Sequence, residues 1–206
     1  MTDVFGELAE LGTATVHEAS GRAGLVDVPL IQVLPGSRAA GPARTVLCGQ
    51  DDNLMVHAAV AEARRGEVLV LTMPEPAPVA LAGELLATQA KVRGVSALLV
   101  DAAVRDLDEL RELGLPVWAR FVRVRGADKS EPGAIGEPVR LGGATIRQGD
   151  AVVLDADGAV VVEKERVEAV LAAARERAER EREKRAKLQS GALSYDLDGL
   201  RRLIES

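Results

Sequence analysis

The sequence is short of the residues that most directly announce a function. Its single cysteine, Cys48, rules out an intrachain disulfide and a thiolate metal cluster, and reads as a small buried hydrophobe. Aromatic residues make up only 2% of the chain, which leaves few platforms for stacking nucleic-acid bases. A basic excess is also missing. The net charge is −6, whereas neutralising a phosphate backbone takes a clustered positive surface. No apolar run approaches the ~18 residues needed to cross a bilayer. The amino-terminal "MTDVFGELAE" lacks the basic-then-apolar order of a secretory signal. The two histidines, His17 and His57, form no ligand spacing such as H-x-x-x-H and read as structural or supporting residues. These absences predict a soluble, cytoplasmic protein that binds neither membrane nor nucleic acid.

What remains is aliphatic and regularly ordered. The 206 residues suffice for one domain with a sizeable core, 1–163, and a helical tail, 164–206. The first two dozen residues read as helix, with Thr13 or Thr15 as caps and Gly21 or Gly24 as stops. "VPLIQVLP" and "RAAGPARTVLCG" read as strands around a turn at Pro35-Gly36. The middle alternates: a helix over 52–65, strand "GEVLVLTMP", a helix over 83–93, strand "GVSALLVD", a short helix "DLDELRELG", strand "LPVWARF". Continuous apolar strands between helices of this length predict βαβ units with parallel neighbours, and Trp118 falls in their core. After residue 126, Gly-Gly, Gln-Gly-Asp and Asp-Gly turns between short strands predict an antiparallel portion. There turn chemistry accounts for Asp155 and Asp157. A long helix follows from Lys164 to Leu188, and a last short one over 195–204. Mixed pairs such as Glu176/Arg180 and Arg177/Glu181 line its surface, while Val167, Val170 and Leu171 give only its first half an apolar stripe. The second half projects into water or lies on a partner.

One stretch combines strand, helix and charge: "GELLATQAKVRGVSALLVDAAVRD", residues 83–106. Asp106 and Glu109 have the spacing of a capping box, so Asp106 can be read as the cap of the next helix and Arg105 as a surface residue. A functional reading comes from position, because ligands of parallel sheets gather beyond the carboxyl ends of the strands. There the amides of Gly83, Glu84, Leu85 and Leu86, at a helix start, can bind a carboxylate. Arg105 can add a bidentate contact, Asp106 can hold a hard divalent cation through oxygen, and Glu84 can do proton work. Together they point to a small, anionic, oxygen-rich ligand. Asp52-Asn53 reads as a helix cap. Lys91, the only lysine before Lys129, sits within a helix, which disfavours Schiff-base chemistry.

The same stretch resembles the signature of the RraA-like family, the metal-dependent 4-hydroxy-4-methyl-2-oxoglutarate/4-carboxy-4-hydroxy-2-oxoadipate aldolases. That signature is an acid, twenty residues, then Arg-Asp, as in Glu84 and Arg105-Asp106. The likeness extends to "TATVHEASGRAG", "GPARTVLC", "DNLMVHAAV", "LGLPVWAR", "GGATIRQGDAVVLDADGAVVV" and "KRAKLQSGALSYDLDGL". It implies a single layered β/β/α, swivelling-domain-like α/β domain that assembles as a homotrimer or homohexamer, with the tail packing on a neighbouring subunit. It further implies that Gly83, Glu84, Leu85 and Leu86 bind the pyruvyl end of a 2-oxo acid and that Arg105 contacts its oxygens. Asp106 would anchor Mg²⁺ or Mn²⁺, and Glu84 would orient or deprotonate a water on the metal. A tail glutamate of the neighbouring subunit completes the family's site, here Glu181, with Glu179 or Glu183 beside it. The implied activity is retro-aldol cleavage to pyruvate, with oxaloacetate decarboxylation alongside. Members also act as protein-binding regulators of ribonuclease E, which is the alternative function. This chain departs from the pattern at Ala102, where the family has glycine, in the proline-rich loop 74–79, and at Asp198, where an aromatic is usual. Ala102 and the loop bear on the shape of the pocket.

Overall fold

The apolar runs alternate in which face they bury, and that alternation builds the layers. A computed structural model describes residues 3–205; Met1, Thr2 and Ser206, the outer ends of the predicted domain and tail, lie outside the described residues. The chain runs α1 (Val4–Ala19), β1 (Ile31–Gln32), β2 (Ala39–Leu47), α2 (Leu54–Glu62), β3 (Val68–Thr72), β4 (Ala80–Ala82), α3 (Glu84–Arg93), β5 (Ala97–Val104), α4 (Leu107–Leu113) and β6 (Val117–Val122). There follow β7 (Ala134–Ile135), the hairpin β8 (Val139–Leu141) and β9 (Ala144–Ile146), the hairpin β10 (Ala151–Asp155) and β11 (Gly158–Val162), the long α5 (Val167–Gln189) and α6 (Ser194–Leu197).

Strands β2, β3, β5 and β6 are parallel neighbours in that order, so each crossover steps the same way across the sheet. Crossovers of one hand and one direction put their helices on one face. Accordingly Leu69, Leu71, Leu98 and Val100 pack with Val56, Val60, Ala87, Ala90 and Leu110 of α2, α3 and α4. The residues between them, Val68, Val70, Ala97 and Leu99, face the other way, onto Val152, Leu154, Ala159 and Val161 of β10 and β11. The remaining face of that hairpin, Ala151, Val153, Val160 and Val162, is covered by Leu8 and Val16 of α1 and Val167, Val170 and Leu171 of α5.

The sheet order is β1-β6-β5-β3-β2-β10-β11, with β4 beside β5 and β7 beside β2. It curls until its ends nearly meet, and the indole of Trp118 on β6 donates to the Asp155 carbonyl on β10 at 2.8 Å. The result is one mixed α/β domain with a nearly closed, barrel-like sheet and a long C-terminal helix, as expected from the sequence.

Several local expectations change. The segments around Pro35-Gly36 are strands, but β1 pairs with β6 and not with β2. β5 does not end at Asp101. It runs buried through Val104, because β4 takes over from β3 as its neighbour, and Arg120 pairs with buried Asp101 at 2.6 Å. Burial raises the Asp101 carboxyl and the Arg120 guanidinium acts against it. α1 is broken at Gly12 (φ 82°), and Thr13 does not cap its second half with its own hydroxyl. Instead the Thr13 amide and hydroxyl donate to Asp155, at 2.8 and 2.6 Å. Asp155 keeps its turn bond from the Asp157 amide but also serves as a cap supplied from a distant strand.

Candidate active site

The parallel strands all end on one side of the sheet, and a cleft of about 180 Å³ lies there. That is room for about six water molecules at ~30 Å³ each. Gly83, Leu85, Leu86, Arg105 and Asp106 line one part of it, and Asn53, His57, Ala127 and Lys129 another. At the end of β5 the Arg105 amide donates to the Ala82 carbonyl at 3.2 Å, which ties the end of β4 to the Arg-Asp pair. Asp106 then takes a left-handed conformation (φ 61°, ψ 52°). That costs a non-glycine residue about 1–3 kcal/mol, least for Asp or Asn.

Asp106 occupies the cap position of α4 but makes no side-chain cap bond there. Its Oδ2 accepts from the Glu84 amide at 3.1 Å, at the start of α3, so the capping-box reading does not hold. Gly83 makes this approach possible, since a Cβ there would run into Asp106 Oδ2 and stand 3.1 Å from Arg105 Cγ. Arg105 is half exposed. Its Nε lies 3.7 Å from Asp106 Oδ2, and its guanidinium donates no hydrogen bond among the described residues. The Gly126 backbone lies under Nη1, where a Cβ would stand 2.7 Å away. One edge of the guanidinium is thus open to a carboxylate.

The helix start is only partly free. The Glu84 amide is taken by Asp106, which leaves those of Leu85 and Leu86 without protein partners among the described residues. The Glu84 carboxylate accepts from the Thr88 hydroxyl at 2.9 Å, and Glu84 is not among the lining residues. Glu181, on the outward half of α5, pairs with Arg177 at 2.9 Å and does not line the cleft of its own chain.

The opposite wall escaped the sequence reading. Asn53 Nδ2 donates to the Leu81 carbonyl at 3.0 Å, while its Oδ1 and His57 Nε2 are buried without partners. The two residues are four apart on α2, on one helical face. A search for facing polar pairs in general, not only metal spacings, would have found them. Lys129 also faces the cleft, whereas Lys91 donates to the Leu113 carbonyl. The segment 125–131 is sewn to the ends of β2 and β4: Ala80 N–H to Arg125 O at 2.8 Å, and Asn53 N–H to Asp128 O at 2.9 Å.

Buried Asp52 completes the seam. It accepts from the Leu54 amide at 2.7 Å, from the Ser130 and Glu131 amides at 2.6 and 3.0 Å, and from the Ser130 hydroxyl at 3.4 Å. Burial alone would raise its carboxyl, but these bonds outweigh burial and hold it below its ordinary value of 3.8. A depressed carboxyl stabilises the fold fully above its unfolded value and loses that contribution as pH falls through the folded one. Acid titration of stability is therefore expected to show a component below pH 3.8 that Asp52→Asn removes, read from thermal melts of both proteins.

No group of three or more His, Cys, Asp or Glu side chains suited to a metal occurs among the described residues. Asp106 is a single accessible carboxylate. That fits Mg²⁺ or Mn²⁺, which accept one or two protein carboxylates and take other oxygens from water and ligand, and does not fit an all-protein cage. Ala102 is fully buried in the core beneath the helices, so its methyl does not face the cleft. The proline-rich loop leads into β4, whose Ala80 and Ala82 line it. Cys48 is buried, which pushes its thiol up to about 12 and leaves it inert, as expected. Asp198 holds Lys184 at 2.6 Å. No described helix is long and apolar enough to cross a membrane.

A barrel-like α/β domain with an arginine, an aspartate and a helix start gathered beyond its parallel strands defines the class. The RraA-like family model, described as Aldolase/RraA, matches residues 13–161, and the chain belongs to that family. A protein of Halalkalibacterium halodurans, provisionally named as a 4-hydroxy-4-methyl-2-oxoglutarate aldolase, is 37% identical over 137 residues, 66% of this chain and 65% of the relative. The match thus spans slightly less than two thirds of that relative's length. Among solved structures, an uncharacterized protein from Pseudomonas syringae pv. tomato superposes with a TM-score of 0.84 at 25% identity, covering 94% of this chain and 91% of the other. Streptomyces coelicolor RraAS2, described as an unusual member of the RNase ES inhibitor RraA protein family, gives a TM-score of 0.80 at 28% identity, covering 90% and 96%.

Proposed function

We propose that the protein is a divalent-metal-dependent carbon–carbon lyase cleaving 4-hydroxy-4-methyl-2-oxoglutarate or 4-carboxy-4-hydroxy-2-oxoadipate to pyruvate and a second 2-oxo acid. Oxaloacetate decarboxylation is the accompanying activity. The observation that carries this reading is the gathering of an unpaired guanidinium, unpaired helix-start amides and an accessible carboxylate in one small cleft. The name of the Halalkalibacterium relative supports the same chemistry.

Both reactions break a bond to C3 and leave its electron pair on pyruvate enolate. Asp106 would hold Mg²⁺ or Mn²⁺, which when bound serves as a Lewis acid for that developing charge. The amides of Leu85 and Leu86 bind the C1 carboxylate, and Arg105 donates to the oxygen on which charge collects. In the aldol cleavage a base takes the proton of the C4 hydroxyl, and the enolate is then protonated at C3. Glu84 fills that role after its side chain turns from Thr88, or a tail glutamate of a neighbouring subunit does, with Glu181 first and Glu179 or Glu183 next. The exposed Leu193, Leu197, Leu200, Leu203 and Ile204 of the tail suit such a subunit contact in a homotrimer or homohexamer.

A pyruvate-release assay with Mg²⁺ or Mn²⁺ and with EDTA tests this. Release that depends on the metal, with no borohydride-trapped adduct on Lys129, is the expected result. No metal-dependent pyruvate from the hydroxy acids or from oxaloacetate would sink the proposal. A second reading, protein-binding regulation of ribonuclease E, is supported by the likeness to RraAS2. Binding of that ribonuclease, unaltered in Arg105→Ala and without lyase activity in the parent, would favour it.

A further inference from the structure

The mechanism above leaves one wall of the cleft without a task. Lys129 stands there as a second cation, and its amine makes no hydrogen bond or ion pair among the described residues. A partnerless surface lysine is commonplace; the way this one is mounted is not. The residue before it is locked by Asn53 N–H to Asp128 O and Asp128 N–H to Asp51 O, both at 2.9 Å. The residue after it is locked by Ser130 N–H to Asp52 Oδ2 at 2.6 Å. Asp52 is 1% exposed and its oxygens are already engaged, so it fixes the backbone without neutralising the lysine.

The charge balance points the same way. The charged lining residues are Arg105, Lys129 and Asp106, a net of one positive charge before any divalent ion binds. A monoanion cannot offset that charge once a divalent ion is added, whereas a dianion comes closer. Between the two cations the wall also offers a polar middle. Asn53 is 7% exposed, its amide orientation is set by the bond to Leu81, and its Oδ1 remains unpaired beside His57 Nε2. Buried unpaired acceptors favour ligands that bring a donor such as a hydroxyl.

We infer that Lys129, mounted by Asp52, binds the substrate carboxylate remote from the 2-oxo end, so that the site selects dicarboxylates over 2-oxo monoacids. This rests on the lyase reading, in which Arg105 and the amides of Leu85 and Leu86 hold the 2-oxo end. Lys129 is the specificity residue and Asp52 a positioning residue.

Calorimetric titration of the full chain with Mg²⁺ separates the two ends of the ligand. Pyruvate probes the 2-oxo end alone. 2-Oxoglutarate adds a carboxylate at the position it holds in the hydroxy diacid, and without a 4-hydroxyl it cannot undergo the aldol cleavage. The parent protein should prefer 2-oxoglutarate, and Lys129→Met should cut that preference roughly tenfold, the worth of one charged hydrogen bond. Lys129→Arg should retain most of it. Asp52→Asn should reduce it in protein that still melts cooperatively. An unchanged ratio in Lys129→Met, or a parent that binds pyruvate with no preference for the diacid, overturns the inference and leaves the lyase reading standing. A parent that binds neither acid and releases no pyruvate overturns both.

Discussion

Asp106→Asn should lower metal-dependent pyruvate release by about 10³-fold while the protein stays folded. Asparagine accepts the Glu84 amide bond through its side-chain oxygen and tolerates the left-handed conformation found at this position (φ 61°). What the substitution removes is the negative charge that would hold the divalent ion. Lewis-acid stabilisation of a developing enolate is worth several kcal/mol, and ~4 kcal/mol corresponds to about 10³ in rate. The comparison is kcat/KM with Mg²⁺ against a thermal melt. Asp106→Ala is the contrasting variant. It forfeits the hydrogen bond and the conformational tolerance as well, so its Tm should fall together with activity. An Asp106→Asn protein with undiminished kcat/KM would remove Asp106 from the chemistry.

The second large effect comes from a residue with no functional group. Gly83 has extended backbone (φ −144°, ψ −168°), so alanine is not strained there by conformation. Its methyl would nevertheless occupy the space of Asp106 Oδ2 and press on Arg105 Cγ at 3.1 Å. Both side chains can swing toward solvent, since each is about half exposed, so stability should change by only about 1 kcal/mol. The displaced groups are those assigned to metal and substrate. A misplacement near 1 Å costs about 10² in rate, so kcat/KM should drop by that factor with Tm almost unmoved. Equal losses in stability and activity would mean that Gly83 serves the fold rather than the site. The Arg105 amide bond to Ala82, followed by hydrogen exchange, reports whether the β4–β5 junction itself has opened.

The two halves of the cleft were unequally legible. Gly83 to Leu86 and Arg105-Asp106 are separated by a helix and a strand whose periods are clear, and a βαβ unit returns its strand ends to one side. Their meeting therefore follows from local pattern. Arg105 and Asp106 also sit beyond a strand end, although that end lies later than the acid Asp101 suggested. Asp101 looked like an exit because an isolated carboxylate does not stay buried. Arg120, 19 residues further on, supplies the counter-charge that lets β5 continue.

The other wall had no such local signature. Lys129 lies in a stretch without apolar period, and its place depends on a seam to Asp52, 78 residues away at Ser130. Asn53 and His57 looked like helix furniture because nothing nearby announced which face of α2 would overlook the cleft. Asp155 shows the same limit, a turn residue locally and a cap for α1 across 142 residues.

The amino-acid sequence alone determined the alternation of strands and helices, the parallel order of the middle strands and the position of the Arg-Asp pair beyond one of them. Those features are set by side-chain periodicity and turn chemistry within a few residues. Only the tertiary structure decided that the sheet curls into a barrel-like layer, that Asp106 serves α3 instead of α4, and that Lys129 faces Arg105. Those outcomes depend on which buried faces meet, and periodicity says that a face is apolar without saying what will cover it.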